Sequence, residues 1–185
     1  MPIESHTRRE VLAFAILLVT VFSSRAAADS GSRIRSESAL LTNVFTSAHE
    51  RSSTFRSLVE RIERSNVIVH LTCGQFTSAM LAGQTLLGAV VPGVRYVRVQ
   101  VSCQLAESAL VMLVAHELQH VVEIASTPSV VDGKSFARLF STIGFATCWS
   151  LGSERFDTRS AIAAGERVRS EYVNYSESSA HHEAY

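Results

Sequence analysis

Two histidines and two glutamates interrupt an otherwise apolar run, VMLVAHELQHVVEIA, from Val111 to Ala125. Imidazoles and carboxylates are costly to bury in such a segment unless each finds a partner. His116 and His120 are four residues apart, so on a helix they lie about 40° apart around the axis and one turn apart along it. Both rings can then reach a single divalent cation. Glu117, offset by one residue, can hold a water at that cation without ligating it, which makes it the candidate general base. The pattern His116-Glu117-Leu118-Gln119-His120 is an HExxH motif. Alone it is weakly specific; its place within a long apolar helical segment, preceded by strand-like runs, gives it weight. The plainer reading is a pair of core histidines hydrogen-bonded to backbone. Glu123 follows His120 by three residues and shares its side of the helix, but it sits two turns beyond His116. A position between the two rings is poorly placed for it, so Glu123 is assigned to orienting a ligand, with direct ligation as the alternative.

Strand-then-helix order and the motif HELQH resemble the zincin metallopeptidases. More specifically, LVAHELQHVVEIA followed by RFDTRSAIAAGERV is similar to small exported bacterial proteins of unassigned function associated with that group. The similarity spans Val94 to Val173. It implies a zinc ion on His116 and His120, with Glu117 as general base. Zinc is tetrahedral and a catalytic site keeps one position for water, so a third protein ligand is required. In the gluzincin branch that ligand is a glutamate on a later helix, followed by small residues that let the helix pack closely. DTRSAIAAG (Asp157–Gly165) resembles this arrangement, with Asp157 as the implied ligand and Ala161, Ala164 and Gly165 as the small residues. The departure is aspartate for glutamate, one methylene shorter, although aspartate serves as third ligand in other zincins. Glu154 is the reserve, and a simple helix-capping role is the plain reading of Asp157.

The implied activity is hydrolysis of a peptide or protein substrate. Zinc would activate the water and polarise the carbonyl, while Glu117 carries the water's proton to the leaving amine. Tyr172, Tyr175 and Arg159 are candidate donors to the oxyanion, and their spacing singles out none of them. Neither the methionine turn nor the third histidine of metzincins follows His120, which excludes that branch. Two rivals stand beside the hydrolase: a catalytically silent zinc-binding envelope or partner-binding domain, and a metal-free structural helical protein.

The elements that must position these groups follow from periodicity. Leu41, Val44, Phe45, Ala48, Phe55, Leu58, Val59 and Ile62 recur at helical steps and predict one long amphipathic helix, with Ser52-Ser53 as the place for a break. NVIVHLT (Asn66–Thr72) is β-branched and predicts a strand. LLGAVVPGVRYVRVQVS (Leu86–Ser102) predicts two strands about a type II turn at Pro92-Gly93. In the second of these, Val97, Val99 and Val101 alternate with Tyr96, Arg98 and Gln100, and its edge is the expected seat for an extended peptide. Cys73–Gly83 reads as a connection. The HExxH helix is expected from Gln104 to Ser126, with Ser102 as cap, Glu107 in its first turns and Thr127-Pro128 ending it. Lys134–Phe145 is a short helix closed at Gly144, and Ser153–Val173 a last helix with Phe156, Ile162 and Val168 inside. The predicted class is α+β: a minimal zincin-like domain over residues 39–175, with a small twisted sheet of about three strands.

Around that domain, Arg8-Arg9, the apolar Val11–Phe22 and Ala26–Ala28 read as a signal peptide over residues 1–28. An uncleaved membrane anchor is the alternative, and otherwise no membrane association is expected. Residues 29–38 read as a flexible lead-in and 176–185 as a frayed tail. The protein is therefore expected in the periplasm or secreted. The chain of 185 residues carries no net charge, Lys134 is its only lysine, and no basic block is present, which argues against a nucleic-acid partner. Of the three cysteines, Cys73 and Cys103 each follow a strand-like run whose ends could meet, a pairing that spacing alone leaves open. Cys148 is then left over. His70, His181-His182 and Trp149 are read as rim, tail and core residues.

Overall fold

A computed structural model describes residues 31–76, 81–150 and 153–182. The expected signal segment, residues 1–28, lies outside them. Eleven elements follow in order: β1 (Ile34–Ser36), α1 (Ala39–Arg51), α2 (Ser53–Glu63), β2 (Val67–Cys73), β3 (Gly83–Val91), β4 (Val94–Val101), α3 (Glu107–Ala125), α4 (Gly133–Ile143), β5 (Phe145–Ser150), β6 (Ser153–Asp157) and α5 (Arg159–His182). The class is mixed α and β, with a four-stranded sheet in the order β1-β2-β4-β3 and a separate hairpin of β5 and β6.

The lead-in is not wholly flexible, because β1 forms within it and runs parallel to β2, with Ile34 opposite Val69. Three residues are too few to show a period, and only the pairing defines the strand. Likewise the sheet has four strands where about three were expected. Strand β2 pairs parallel with β4, and β3 pairs antiparallel with β4 across the turn in which Gly93 has φ 80°, the value that a type II turn demands of its third residue. Strand β4 therefore lies inside the sheet, contrary to its expected role as an edge. The edge on that side is β3.

Alternation along the strands sorts their two faces. Val67, Val69, Leu71, Val97, Val99 and Val101 are buried beneath the helices. His70, Tyr96 and Gln100 stand half-buried, and Arg98 exposed, on the other face. A disulfide joins Cys73 at the end of β2 to Cys103 beyond β4, with their Cα atoms 5.5 Å apart.

The predicted long helix is two helices. Ser52 is extended (φ −127°), closes α1 by donating its N–H to Ala48, and caps α2 by accepting from the N–H of Phe55. The Ser52 hydroxyl donates to Glu171 of α5 at 2.6 Å, and that carboxylate also accepts from the backbone N–H and hydroxyl of Thr54. An acid at a helix N-terminus is favoured by the macrodipole, so α5 seals the break. These bonds hold the Glu171 pKa below the usual carboxylate range, although its partial burial works the other way.

Helix α3 is the central helix and is buried over most of its length, as expected of a helix apolar nearly all round. Its start is Glu107 and its N-cap Ala106, which offers no side-chain bond, so Ser102 is not the cap. At the other end, the nearly buried Arg95 of β4 reaches across. Its Nη1 donates to the carbonyls of Ile124 and Thr127 (both 2.8 Å) and its Nη2 to Ala125 (3.1 Å), while Asn66 holds the guanidinium from behind. A fixed cation thus joins Ser126 and Thr127 in satisfying the last carbonyls of the helix that carries HExxH.

Three more expectations are corrected at the C-terminal end. Ser153–Val173 is not one helix: Ser153–Asp157 pairs with Phe145–Ser150, and α5 begins only at Arg159. The helix then continues through His182, so the expected tail is helical there; residues 183–185 lie outside the described ones. Ala161, Val168 and Tyr172 face the core, whereas Ile162 is 36% exposed and does not. Helix α4 is closed at Gly144 as expected, but it begins at Gly133 on an Asp132 cap and excludes Phe145, which opens β5.

Replacing Arg95 with methionine keeps bulk but takes the donor from the Ala125 carbonyl and the partner from Asn66, while Ile124 and Thr127 keep the N–H groups of Thr127 and Val130. The expected cost is about 2–4 kcal/mol, read as a lower urea midpoint at unchanged slope.

Candidate metal centre

Helix α3 projects His116 and His120 from successive turns on one side, their ring centroids 5.0 Å apart and nearly perpendicular. Asp157 arrives from the end of β6, immediately before α5. Its Oδ1 lies 3.3 Å from His116 Nε2 and 3.6 Å from His120 Nε2. One donor atom from each of the three residues falls within 4.8 Å of the other two. Two ligand atoms each about 2.0–2.1 Å from a tetrahedral zinc stand roughly 3.3 Å apart, so the two imidazole–carboxylate distances suit such an ion. Two imidazoles and a carboxylate are also a zinc-type donor set.

The close packing that brings Asp157 here is visible at Gly165 of α5. A Cβ at that position would stand 3.0 Å from the Met112 carbonyl and 3.3 Å from His116 Cβ. With Ala161 fully buried alongside, the small face of α5 rests against the turn of α3 that carries His116. Asp157 is tied to that helix by only one intervening residue, Thr158.

Glu123 does not join the three ligand candidates. It accepts from His120 Nδ1 at 2.9 Å and from the Thr158 hydroxyl at 2.7 Å. Thr158 Oγ1 in turn accepts from the N–H of Ala161, capping α5. With a carboxylate accepting at Nδ1, one His120 proton is placed there, and Nε2 faces Asp157: protonated it donates to that carboxylate, and deprotonated it offers its lone pair to an ion. Phe140 of α4 meets the His120 ring edge-on at 5.2 Å and shields it. Thr158 and Phe140 carried no signal in the sequence, because nothing local distinguishes a threonine or phenylalanine that will touch the site from one that will not.

Glu117 is only 4% exposed, and its Oε2 accepts from the hydroxyl of Thr85 on β3 at 2.7 Å. Burial raises its pKa above the usual carboxylate range, opposed by His120, Thr85 and His116. The His120 pKa is raised as well, by a different cause. Burial lowers its pKa, but the bonds to Asp157 and Glu123 outweigh burial and raise it to about 9. For Asp157, partial burial raises the pKa, yet hydrogen bonds from His116 and His120 hold it well below the carboxylate range.

The remaining candidates fall elsewhere. Tyr172 is buried between α1 and α3, sharing its hydroxyl with Ser47 and Glu107, and is not an oxyanion donor. Tyr175 lies with its ring 6.0 Å from the Arg51 guanidinium, beside that cluster. Arg159 is exposed at the start of α5. The side chain of Glu154, like those of Trp149, Cys148, His181 and His182, lies outside the described residues. His70 stands on the open sheet face with Glu37, 3.7 Å from its carboxylate and away from the site.

No protein-family model, curated protein or solved structure matches the chain.

The ion pair sets the pH response of metal-free protein. Raised in the fold, the His120 pKa contributes stability that is complete below pH 6.5 and is lost as pH climbs through about 9. Lowered in the fold, Asp157 contributes stability present above pH 3.8 and lost in acid. Chelator-treated protein should therefore lose melting temperature from pH 6.5 to 9. With zinc the His120 proton is displaced, so stability should instead rise up to about 6.5 and then level. Gly165→Val should draw Asp157 from both rings, and an NMR titration should then show the His120 pKa falling from about 9 toward 6.5.

Proposed function

We propose that the chain is an exported zinc-dependent hydrolase of zincin type, acting on a peptide or protein substrate. The observation that carries this reading is the convergence of Asp157 on the Nε2 atoms of both HExxH histidines. His116, His120 and Asp157 would hold the ion, and Glu123 would fix the orientation of His120. Zinc, when bound, supplies Lewis acidity at the scissile carbonyl. Glu117 accepts the proton of the attacking water and returns it to the leaving nitrogen, and its raised pKa suits a carboxyl that must do both.

Strand β3 supports a peptide as the substrate class. It is the edge of the four-stranded sheet and lies against α3 through the Thr85–Glu117 bond. An extended peptide laid along it would gain main-chain pairing beside the base. The third-ligand arrangement departs from the gluzincin pattern, since Asp157 ends a strand and not a helical turn. The Cys73–Cys103 disulfide and the apolar N-terminal segment together support export to an oxidising compartment.

The depth of Glu117 favours a second reading, in which the domain keeps zinc for stability and has no turnover. Both readings predict about one zinc per chain in protein purified without added metal, and loss of it in Asp157→Ala and His120→Ala. They part at Glu117→Gln in a broad peptide-substrate screen run with and without chelator. An enzyme should lose about 10²–10⁴-fold in turnover while its zinc content and melting temperature hold. Metal-free protein in elemental analysis would contradict both.

A further inference from the structure

We propose that Gly83 and Thr85, on the edge strand β3, position the Glu117 carboxylate, so that the sheet sets where the general base stands. The inference rests on the hydrolase reading. Helix α3 fixes the Cα of Glu117 but leaves three rotatable side-chain bonds, and two features of β3 settle them. Thr85 Oγ1 stands 2.7 Å from Glu117 Oε2 and 3.3 Å from the Glu117 carbonyl oxygen. A hydroxyl has one proton to give, and the shorter separation assigns it to Oε2.

Gly83, two residues earlier on the same side of the strand, provides the space. A Cβ there would lie 2.5 Å from Glu117 Oε1 and 2.8 Å from Leu113 Cδ1. Real Cβ atoms do not approach so closely, so any other residue at position 83 displaces the carboxylate. Both obstructing atoms are the far ends of side chains, and the strand itself can stay in register, Gly83 opposite Val101 and Thr85 opposite Val99. One residue thus supplies a notch and the other a donor. Neither touches a reacting atom, so both are positioning residues that act through Glu117.

The test uses full-length protein loaded with zinc and the probe acetohydroxamic acid, which must release its proton to an acceptor beside the ion in order to bind as an anion. Thr85→Val and Gly83→Ala should each weaken acetohydroxamate about tenfold at unchanged zinc content, while Thr85→Ser should restore affinity to within about twofold. In the Glu117→Gln background, Thr85→Val should produce no further loss. Wild-type affinity in a fully zinc-loaded Thr85→Val, or the same loss with and without Glu117, would overturn the proposal. Should Thr85→Val not fold, Gly83→Ala carries the test by the same criteria. An unsubstituted protein that takes up no zinc overturns the hydrolase reading, and this inference with it.

Discussion

The separation between α3 and α5 is the constraint on which the rest depends. Asp157 has no helix of its own, and its reach toward the two imidazoles is set by Thr158 and the first turns of α5. Those turns lie as close to α3 as they do because Gly165 and Ala161 carry little or no side chain. Widening the contact by one methyl group would be felt at a site where distances of 3.3 and 3.6 Å decide whether three donors share one ion. A metal site in this fold is therefore first a helix-packing problem.

A second consequence concerns cost. Glu117 and His120 are buried polar groups on a helix otherwise filled with Leu110, Val111, Val114, Leu118, Val121 and Ile124. Glu117 is held by Thr85 of β3, and His120 by Glu123 of its own helix, which Thr158 secures, and by Asp157 at the end of β6. Among the described residues no buried side-chain nitrogen or oxygen is left without a partner. Low surrounding polarity strengthens these bonds and makes the loss of any one expensive. The same logic recurs at two other helix ends, where Arg95 closes α3 and Glu171 opens α2.

How much of this was legible in the sequence varies with the range of the interaction. The helix bearing HExxH, the strand pair around Pro92-Gly93 and the weak point at Ser52 follow from local period and turn chemistry. The Glu123 side chain could be assigned to His120 because both lie on one helix. Asp157 was reachable only through the resemblance, and its element was misread: five residues of hairpin do not outweigh the helical pattern that follows them. Strand β1 and the interior place of β4 depend on strand order, which no local signal carries. Alternation puts Arg95 on the buried face with Val97, but what it meets there is the end of another helix. Thr85 and Gly83 are ordinary strand residues until topology sets β3 against α3.

The central claim is that His116, His120 and Asp157 share one cation. X-ray absorption at the zinc edge reads that shell directly on protein loaded with one equivalent. The account predicts two imidazole nitrogens and oxygen donors at about 2.0–2.1 Å, with the oxygen shell altered in Asp157→Ala. A spectrum with no imidazole scattering, or with sulfur at about 2.3 Å, would contradict it.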